Sequence, residues 1–177
     1  DSDSSIYFGD GCGAAILGHV PNGYGILSTD IYSNSSAYEA VRLRGGGSSY
    51  PMSENNNNPK LDYYEINGLE VWKQLMKHQP TSIKSALKKA NIDIKDVKLF
   101  LFHQANLRLI EYLMAKMKLP MNKTFTNIEK YGNTADASIA IVMSEAFEQK
   151  KIKRNDIVVV SGVGAGFTFG TSVFRWY

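Results

Sequence analysis

Val97-Lys-Leu-Phe-Leu-Phe102, followed at once by His103-Gln-Ala-Asn106 and then Leu107-Arg-Leu-Ile-Glu-Tyr-Leu-Met-Ala-Lys-Met117, is the stretch on which the reading of this chain turns. Six residues that are apolar at nearly every position have the length and pattern of a strand covered on both faces, as in a parallel sheet with helices on either side. Asn106 is a good N-cap, and Ile110, Leu113, Met114 and Met117 recur at i, i+3, i+4, i+7, which predicts an amphipathic helix that Pro120 closes. A histidine therefore stands between the end of a buried strand and the mouth of a helix. That is where α/β domains place their sites, and an imidazole there can hold or move a proton near neutral pH.

The same logic extends outward. Before this unit, helical periodicity begins near Asn67, with Leu69, Trp72, Leu75 and Met76 on one face; Pro80 is expected to break it, with Thr81 or Ser82 capping a second segment through Ile83, Ala86, Leu87 and Ala90. After it, the Tyr131-Gly132-Asn133-Thr134 turn precedes a helix from Ala137 to about Lys150, rich in small residues. Ile157–Val163 and Thr168–Phe174 read as strands joined by Gly164-Ala165-Gly166, too close for a crossover and hence antiparallel. Toward the N-terminus, Ile6-Tyr7-Phe8 reads as a strand, Cys12–Val20 as a second apolar run, and Gly25–Tyr32 as a strand after the Pro21-Asn22-Gly23 turn, in a hairpin-like arrangement. Residues 44–60, with three consecutive glycines and four asparagines, read as a loop. Strands alternating with helices define an α/β domain with a mixed sheet.

Composition narrows the function classes. The 177 residues are 44% hydrophobic and 21% charged, as in an ordinary globular domain. No apolar run is long enough to span a membrane, and no signal peptide is expected from the acidic start. One cysteine excludes an internal disulfide framework and a cysteine-based metal site, and suits a reducing cytoplasm. The net charge of +3 hides an asymmetry: residues 1–70 carry three basic and nine acidic side chains, the remainder 17 basic and eight acidic. A basic half attracts an acidic protein or a phosphorylated cofactor, or is simply a solvated lysine-rich surface. Nucleic acid is disfavoured, since neither zinc-finger spacing nor an RNA-binding aromatic signature is present.

Three places can carry chemistry: His103, Asn133, and the glycine-rich turn between residues 162 and 170. Taken singly, His103 is equally a hydrogen-bonded structural residue, Asn133 a turn residue and the glycine turn a tight hairpin. That turn lacks the Gly-Lys-Ser/Thr ending of a phosphate loop. Together, Phe8-Gly-Asp-Gly-Cys-Gly-Ala-Ala15, His103-Gln-Ala-Asn-Leu-Arg108, Tyr131-Gly-Asn-Thr134 and Gly164-Ala-Gly-Phe-Thr-Phe-Gly170 resemble, in this order, the C-terminal half of the 3-oxoacyl-acyl-carrier-protein synthase III family. The similarity runs from about Ile6 to the end of the chain.

The resemblance implies a thiolase-like fold, here one α/β half with a mixed five-stranded sheet flanked by helices. It implies a ping-pong condensation in which a cysteine takes an acyl group from acyl-coenzyme A and malonyl-acyl carrier protein then loses carbon dioxide and attacks it. No resident cofactor or metal is implied, because the substrates bring coenzyme A or phosphopantetheine themselves. His103 and Asn133 match the family's enolate-stabilising pair, and the backbone near Ala165 its oxyanion site. Arg108 resembles a carrier-docking arginine, or is an ordinary exposed helix cation. Asn106 falls with Arg108 in the substrate- or carrier-binding group, and Trp72 aligns with an aromatic of the acyl tunnel mouth or packs in the core. Acyl carrier protein, acyl-CoA, the N-terminal half and a second copy in a homodimer are the implied partners, with no membrane or nucleic acid.

The nucleophile is not expected here. Cys12 lies where the family has a small residue and reads as a small buried core side chain. The reactive cysteine of the resemblance belongs at a helix start in an N-terminal half, where the dipole lowers its pKa; residues 1–177 read as the C-terminal domain without that half. Such a half alone is expected to be inactive and, with an apolar face uncovered, to self-associate. Two departures favour other outcomes: Val163 stands where the family often has an aromatic, and Leu69 where it commonly has asparagine. They raise an alternative, an acyltransferase making an ester or amide without decarboxylation. A non-catalytic partner subunit is the third.

Overall fold

The computed structural model describes residues 6–51 and 58–177. Strand β1 (Gly25–Ser33) is followed by a 3-10 turn, Ser35–Ala40, and by the short strands β2 (Val41–Leu43) and β3 (Tyr64–Ile66). Helix α1 (Gly68–Ala90) leads to strand β4 (Val97–Phe102), helix α2 (Leu107–Lys116), the single turn α3 (Ile128–Tyr131), helix α4 (Ala137–Glu148) and the hairpin β5 (Ile157–Gly164) and β6 (Thr168–Arg175). The main sheet has the order β1-β6-β5-β4. β4 and β5 are parallel, and the other two pairs are antiparallel. Where the sequence predicts five strands, the main sheet has four. Next to β4 a fifth position is reduced to one parallel bridge between Phe100 and Thr124, whose hydroxyl donates to the Phe100 carbonyl at 2.8 Å.

β4 explains the layering. Phe100 and Phe102 pack with Ile83, Ala86 and Leu87 of α1 and Ile110, Leu113 and Met114 of α2. Leu99 and Leu101 turn to the other face, against Val142 and Ala146 of α4. A strand with a helix layer on each side has no solvent face, so both parities of its sequence are apolar.

Helix α1 is unbroken through Pro80, contrary to the expected interruption. Leu75, Met76, Ile83, Ala86 and Leu87 are all buried along one side of it. That continuous burial outweighs the ~3 kcal/mol a proline costs inside a helix. Thr81, rather than capping a new helix, donates its hydroxyl to the Lys77 carbonyl at 3.1 Å in the turn where the proline supplies no N–H.

The first segment differs most from expectation. Residues 9–20 form no strand, and the Pro21-Asn22-Gly23 turn closes with Tyr24 N–H on the Pro21 carbonyl without a hairpin ladder. Only Phe8 pairs, in a single bridge to Asn133. The arm lies along α4, with Gly9 against Tyr131, Gly11 against Thr134 and Ile141, and Gly13 against Ala140. Ile16 and Leu17 are fully or almost fully exposed. Cys12 is exposed too, not a core residue, because nothing else in the described residues covers the outer side of this arm. β2 and β3, held by Arg42–Glu65 and Arg44–Glu65 ion pairs at 2.8 and 2.9 Å, flank the loop the sequence suggested. Within that loop, residues 52–57 and most of the asparagine run lie outside the described residues, as do residues 1–5. No helix among the described residues is long and apolar enough to cross a membrane.

Candidate active site

His103 is the first residue beyond β4, half-buried, and its N–H donates to the Ser161 carbonyl of β5 at 3.1 Å, carrying the parallel register one step past the strand. Its Nδ1 lies 2.6 Å from the hydroxyl of Ser138, in the first turn of α4. Burial pushes the imidazole pKa below its ordinary value, opposed in part by the Asp136 carboxylate, a balance that favours the neutral ring. Gln104, fully buried, pins the turn: its Nε2 donates to the Phe102 carbonyl at 2.8 Å and its Oε1 accepts the Asn127 N–H at 3.3 Å.

Asn133 is held on both sides of its backbone by the N-terminal arm. Its N–H donates to the Tyr7 carbonyl at 2.8 Å, and its carbonyl accepts the Gly9 N–H at 3.0 Å. Its Oδ1 accepts the Ala135 N–H at 3.0 Å, which leaves the Nδ2 hydrogens for another acceptor. The preceding Gly132 has φ of 68°, a conformation that favours glycine, and there a Cβ would press on the Tyr7 carbonyl oxygen. The turn before it is fastened to α4 by Glu145. This carboxylate accepts from Tyr131 Oη at 2.7 Å, Asn127 Nδ2 at 2.8 Å and Lys130 Nζ at 3.0 Å. Those donors, Tyr131 foremost, hold its pKa below the usual carboxylate range.

α4 thus ties two of the sequence-predicted positions into one neighbourhood: Ser138 touches His103 and sits five residues beyond Asn133. Asn106 caps α2 as expected, its Oδ1 accepting the Arg108 N–H at 2.8 Å. It also lines, with His103, Gln79, Phe102, Leu109 and Val163, a crevice of about 10 Å³, room for roughly one water. Asn133, Ala165 and Trp72 are not in that lining. Ala165 is exposed at the β5–β6 tip, which is anchored by reciprocal hydrogen bonds of 2.8 Å between Phe167 and Asn34. Asn34 continues to α1 through Gln74 at 2.9 Å and His78 at 3.2 Å. Trp72 is 41% exposed and meets the Tyr112 ring edge-to-face. Arg108 is exposed and paired with Glu111 at 2.8 Å, one turn along the same helix. A cavity of about 420 Å³ lies at the opposite end of the sheet, where β4 and β5 begin, among Lys95, Lys98, Lys123 and Asp156; it is remote from His103.

Ser138 was not singled out by the sequence. It sits in a stripe of small residues that reads as packing, and its only signal is being a hydroxyl at the start of a helix that directly follows the Gly-Asn-Thr turn.

The three-layered α/β half, which sets His103 at the end of a parallel strand and Asn133 in the turn before a neighbouring helix, has the thiolase-like fold of condensing enzymes. Among solved structures, the beta-ketoacyl-[acyl carrier protein] synthase III of Thermus thermophilus matches all of this chain with a TM-score of 0.88 at 31% identity, over 54% of its own length. The Aquifex aeolicus 3-oxoacyl-[acyl-carrier-protein] synthase III matches 89% of this chain, with a TM-score of 0.76 and 31% identity, over 46% of its own. A curated relative, the beta-ketoacyl-[acyl-carrier-protein] synthase III of Clostridioides difficile, is 38% identical over 99% of this chain and 53% of the relative. Residues 87–176 match the family described as 3-oxoacyl-[acyl-carrier-protein (ACP)] synthase III C terminal, and the chain belongs to it. The chain spans about half the length of the curated relatives it matches.

Proposed function

We propose that this chain is the C-terminal catalytic half of a condensing enzyme that joins an acyl group from acyl-coenzyme A to malonyl-acyl carrier protein, in cytoplasmic fatty acid biosynthesis. The observation that carries the reading is the Ser138 link, which ties a neutral His103 at the end of β4 to the helix entered through the Asn133 turn. In this reading the malonyl carbon–carboxylate bond breaks, carbon dioxide leaves, and the electron pair passes into the thioester as an enolate. His103 and the Asn133 Nδ2 group donate to the enolate oxygen, each such donor contributing on the order of 3 kcal/mol. The carbanion then attacks the acyl-cysteine carbonyl; the new carbon–carbon bond forms and the cysteine thiolate departs. The Ala165 N–H serves the tetrahedral oxygen of that step.

In this reading the nucleophile comes from an N-terminal half, since Cys12 lies on the exposed arm and does not line the His103 crevice. On the same reading Arg108 and Asn106 receive the carrier, Trp72 faces the acyl group, and the enzyme works as a homodimer. The step needs no electrons from outside, so the reading invokes no redox cofactor.

Val163 in the crevice and the exposed Leu69 favour a second reading, acyl transfer to an alcohol or amine without loss of carbon dioxide. The test is carbon dioxide release from malonyl-acyl carrier protein by the full-length protein. Release that falls about 10²–10³-fold in His103→Ala and in Asn133→Ala supports the condensing reading. Acyl transfer without release supports the second, and full turnover in His103→Ala overturns both in favour of a non-catalytic subunit.

A further inference from the structure

Ser138 is buried, with its hydroxyl oxygen within hydrogen-bond distance of two groups among the described residues: the backbone N–H of Gln104 at 3.3 Å and His103 Nδ1 at 2.6 Å. The amide can only donate, so it takes one oxygen lone pair. The hydroxyl has one hydrogen to give. A buried hydrogen of this kind is almost always paired, and among the described residues His103 Nδ1 is the acceptor within reach. We propose that Ser138 is a positioning residue that donates to His103 Nδ1 and so holds the neutral imidazole as the Nε2–H tautomer, with that hydrogen presented to the substrate oxygen.

The alternative tautomer, with the hydrogen on Nδ1, would give the Ser138 oxygen two donors and strand its own hydrogen in the core. It would also present a lone pair to the developing negative charge, where a donor is required. Gln104 contributes indirectly: its amide occupies the serine oxygen, and its side chain, locked between Phe102 and Asn127, fixes where that amide points. Among the described residues, Asp136, two positions before Ser138, is the charged group acting on the ring; Gln79 and Val163, which line the crevice with it, are uncharged.

This assignment rests on the condensing reading for its purpose but not for its test. Full-length protein labelled with 15N in its histidine rings, with His103 assigned by its loss in His103→Asn, is expected to show His103 as the Nε2–H tautomer at pH 7. Ser138→Ala is expected to give a signal averaged between tautomers. It should lower kcat for malonyl decarboxylation about 10–100-fold, the range for groups that orient an active residue, with KM nearly unchanged. Ser138→Thr, which keeps the hydroxyl, should restore the single tautomer. A ring in the unsubstituted protein with its hydrogen on Nδ1 would overturn the assignment, whatever the variants do. So would a Ser138→Ala protein, folded by thermal melting, that retains Nε2–H alone. An Nε2–H ring in a protein that releases no carbon dioxide would instead sink the condensing reading and leave the tautomer assignment standing.

Discussion

Placing a Cβ on Gly9 would drive it into the carbonyl oxygen of Tyr131, two residues before Asn133. The backbone of Gly9 donates to Asn133 itself, so neither side of the contact can shift without moving the asparagine. Gly9→Ala is therefore expected to destabilise the chain by about 1–3 kcal/mol, as overpacking does. For a chain of this size that corresponds to a Tm lower by roughly 2–4 °C per kcal/mol in a thermal melt. An unchanged Tm would show that the arm yields. His103 gives a second expectation at this scale. Its folded pKa lies below the ordinary 6.5, so on acidification the unfolded chain takes up the proton first. Stability contributed by this residue is complete above pH 6.5 and falls as the pH drops from there to the folded pKa. Urea midpoints measured between pH 5 and 7 should slope less in His103→Asn than in the unsubstituted protein. Both residues were legible in the sequence as positions; their partners were not. The gap between Gly9 and Asn133 in the chain hides a contact that only the fold creates, and Ser138 looks like one more small residue for close packing.

Elements whose pattern is local were readable, and those decided by tertiary burial were not. β4 and α2 follow directly from an uninterrupted apolar run and an asparagine cap, and the β5–β6 hairpin from two runs joined by a glycine turn. Pro80 misleads because local propensity gives it a helix-breaking role that the buried face of α1 overrides. The arm over residues 9–20 misleads in the opposite sense: its apolar residues have the composition of a strand, but a strand needs a partner backbone, and beyond the Gly9–Asn133 hydrogen bond no ladder forms along it among the described residues. The fastening of α3 to α4 by Glu145 was also invisible, since its three donors come from a segment with no periodicity of its own. That carboxylate is held below its ordinary 4.5, so the stability it lends is present above about pH 4.5 and is lost as the pH falls through the folded pKa. Glu145→Gln is expected to cost about 1–3 kcal/mol at pH 7, the range for hydrogen bonds to a charged group. It should also flatten the decline of the urea midpoint between pH 5 and 3. A variant with the same slope would assign the acid sensitivity elsewhere.

On the scale of the molecule, β4 and β5 are largely buried, while β1 keeps Ile31 exposed and the arm and the adjoining β2–β3 ribbon keep Ile16, Leu17, Leu43, Tyr64 and Ile66 exposed. Apolar surface presented this way drives association when nothing covers it. Purified as residues 1–177, the chain is expected to scatter light as dimers or larger species at micromolar concentration, and Ile16→Asp with Leu17→Lys should shift it toward monomer. A monomer before substitution would mean that these side chains fold back on the chain itself.

The pairing of Tyr7 and Gly9 with Asn133 also imposes an order on biosynthesis. The arm leaves the ribosome well before the turn that carries the carboxamide and waits without this hydrogen-bonding mate until that turn emerges. Until then neither stretch has a fixed course. A truncated translation product that stops short of this turn lacks β5 and β6 as well, so it holds the arm without its hydrogen-bonding mate and β4 without the strand that would pair with it.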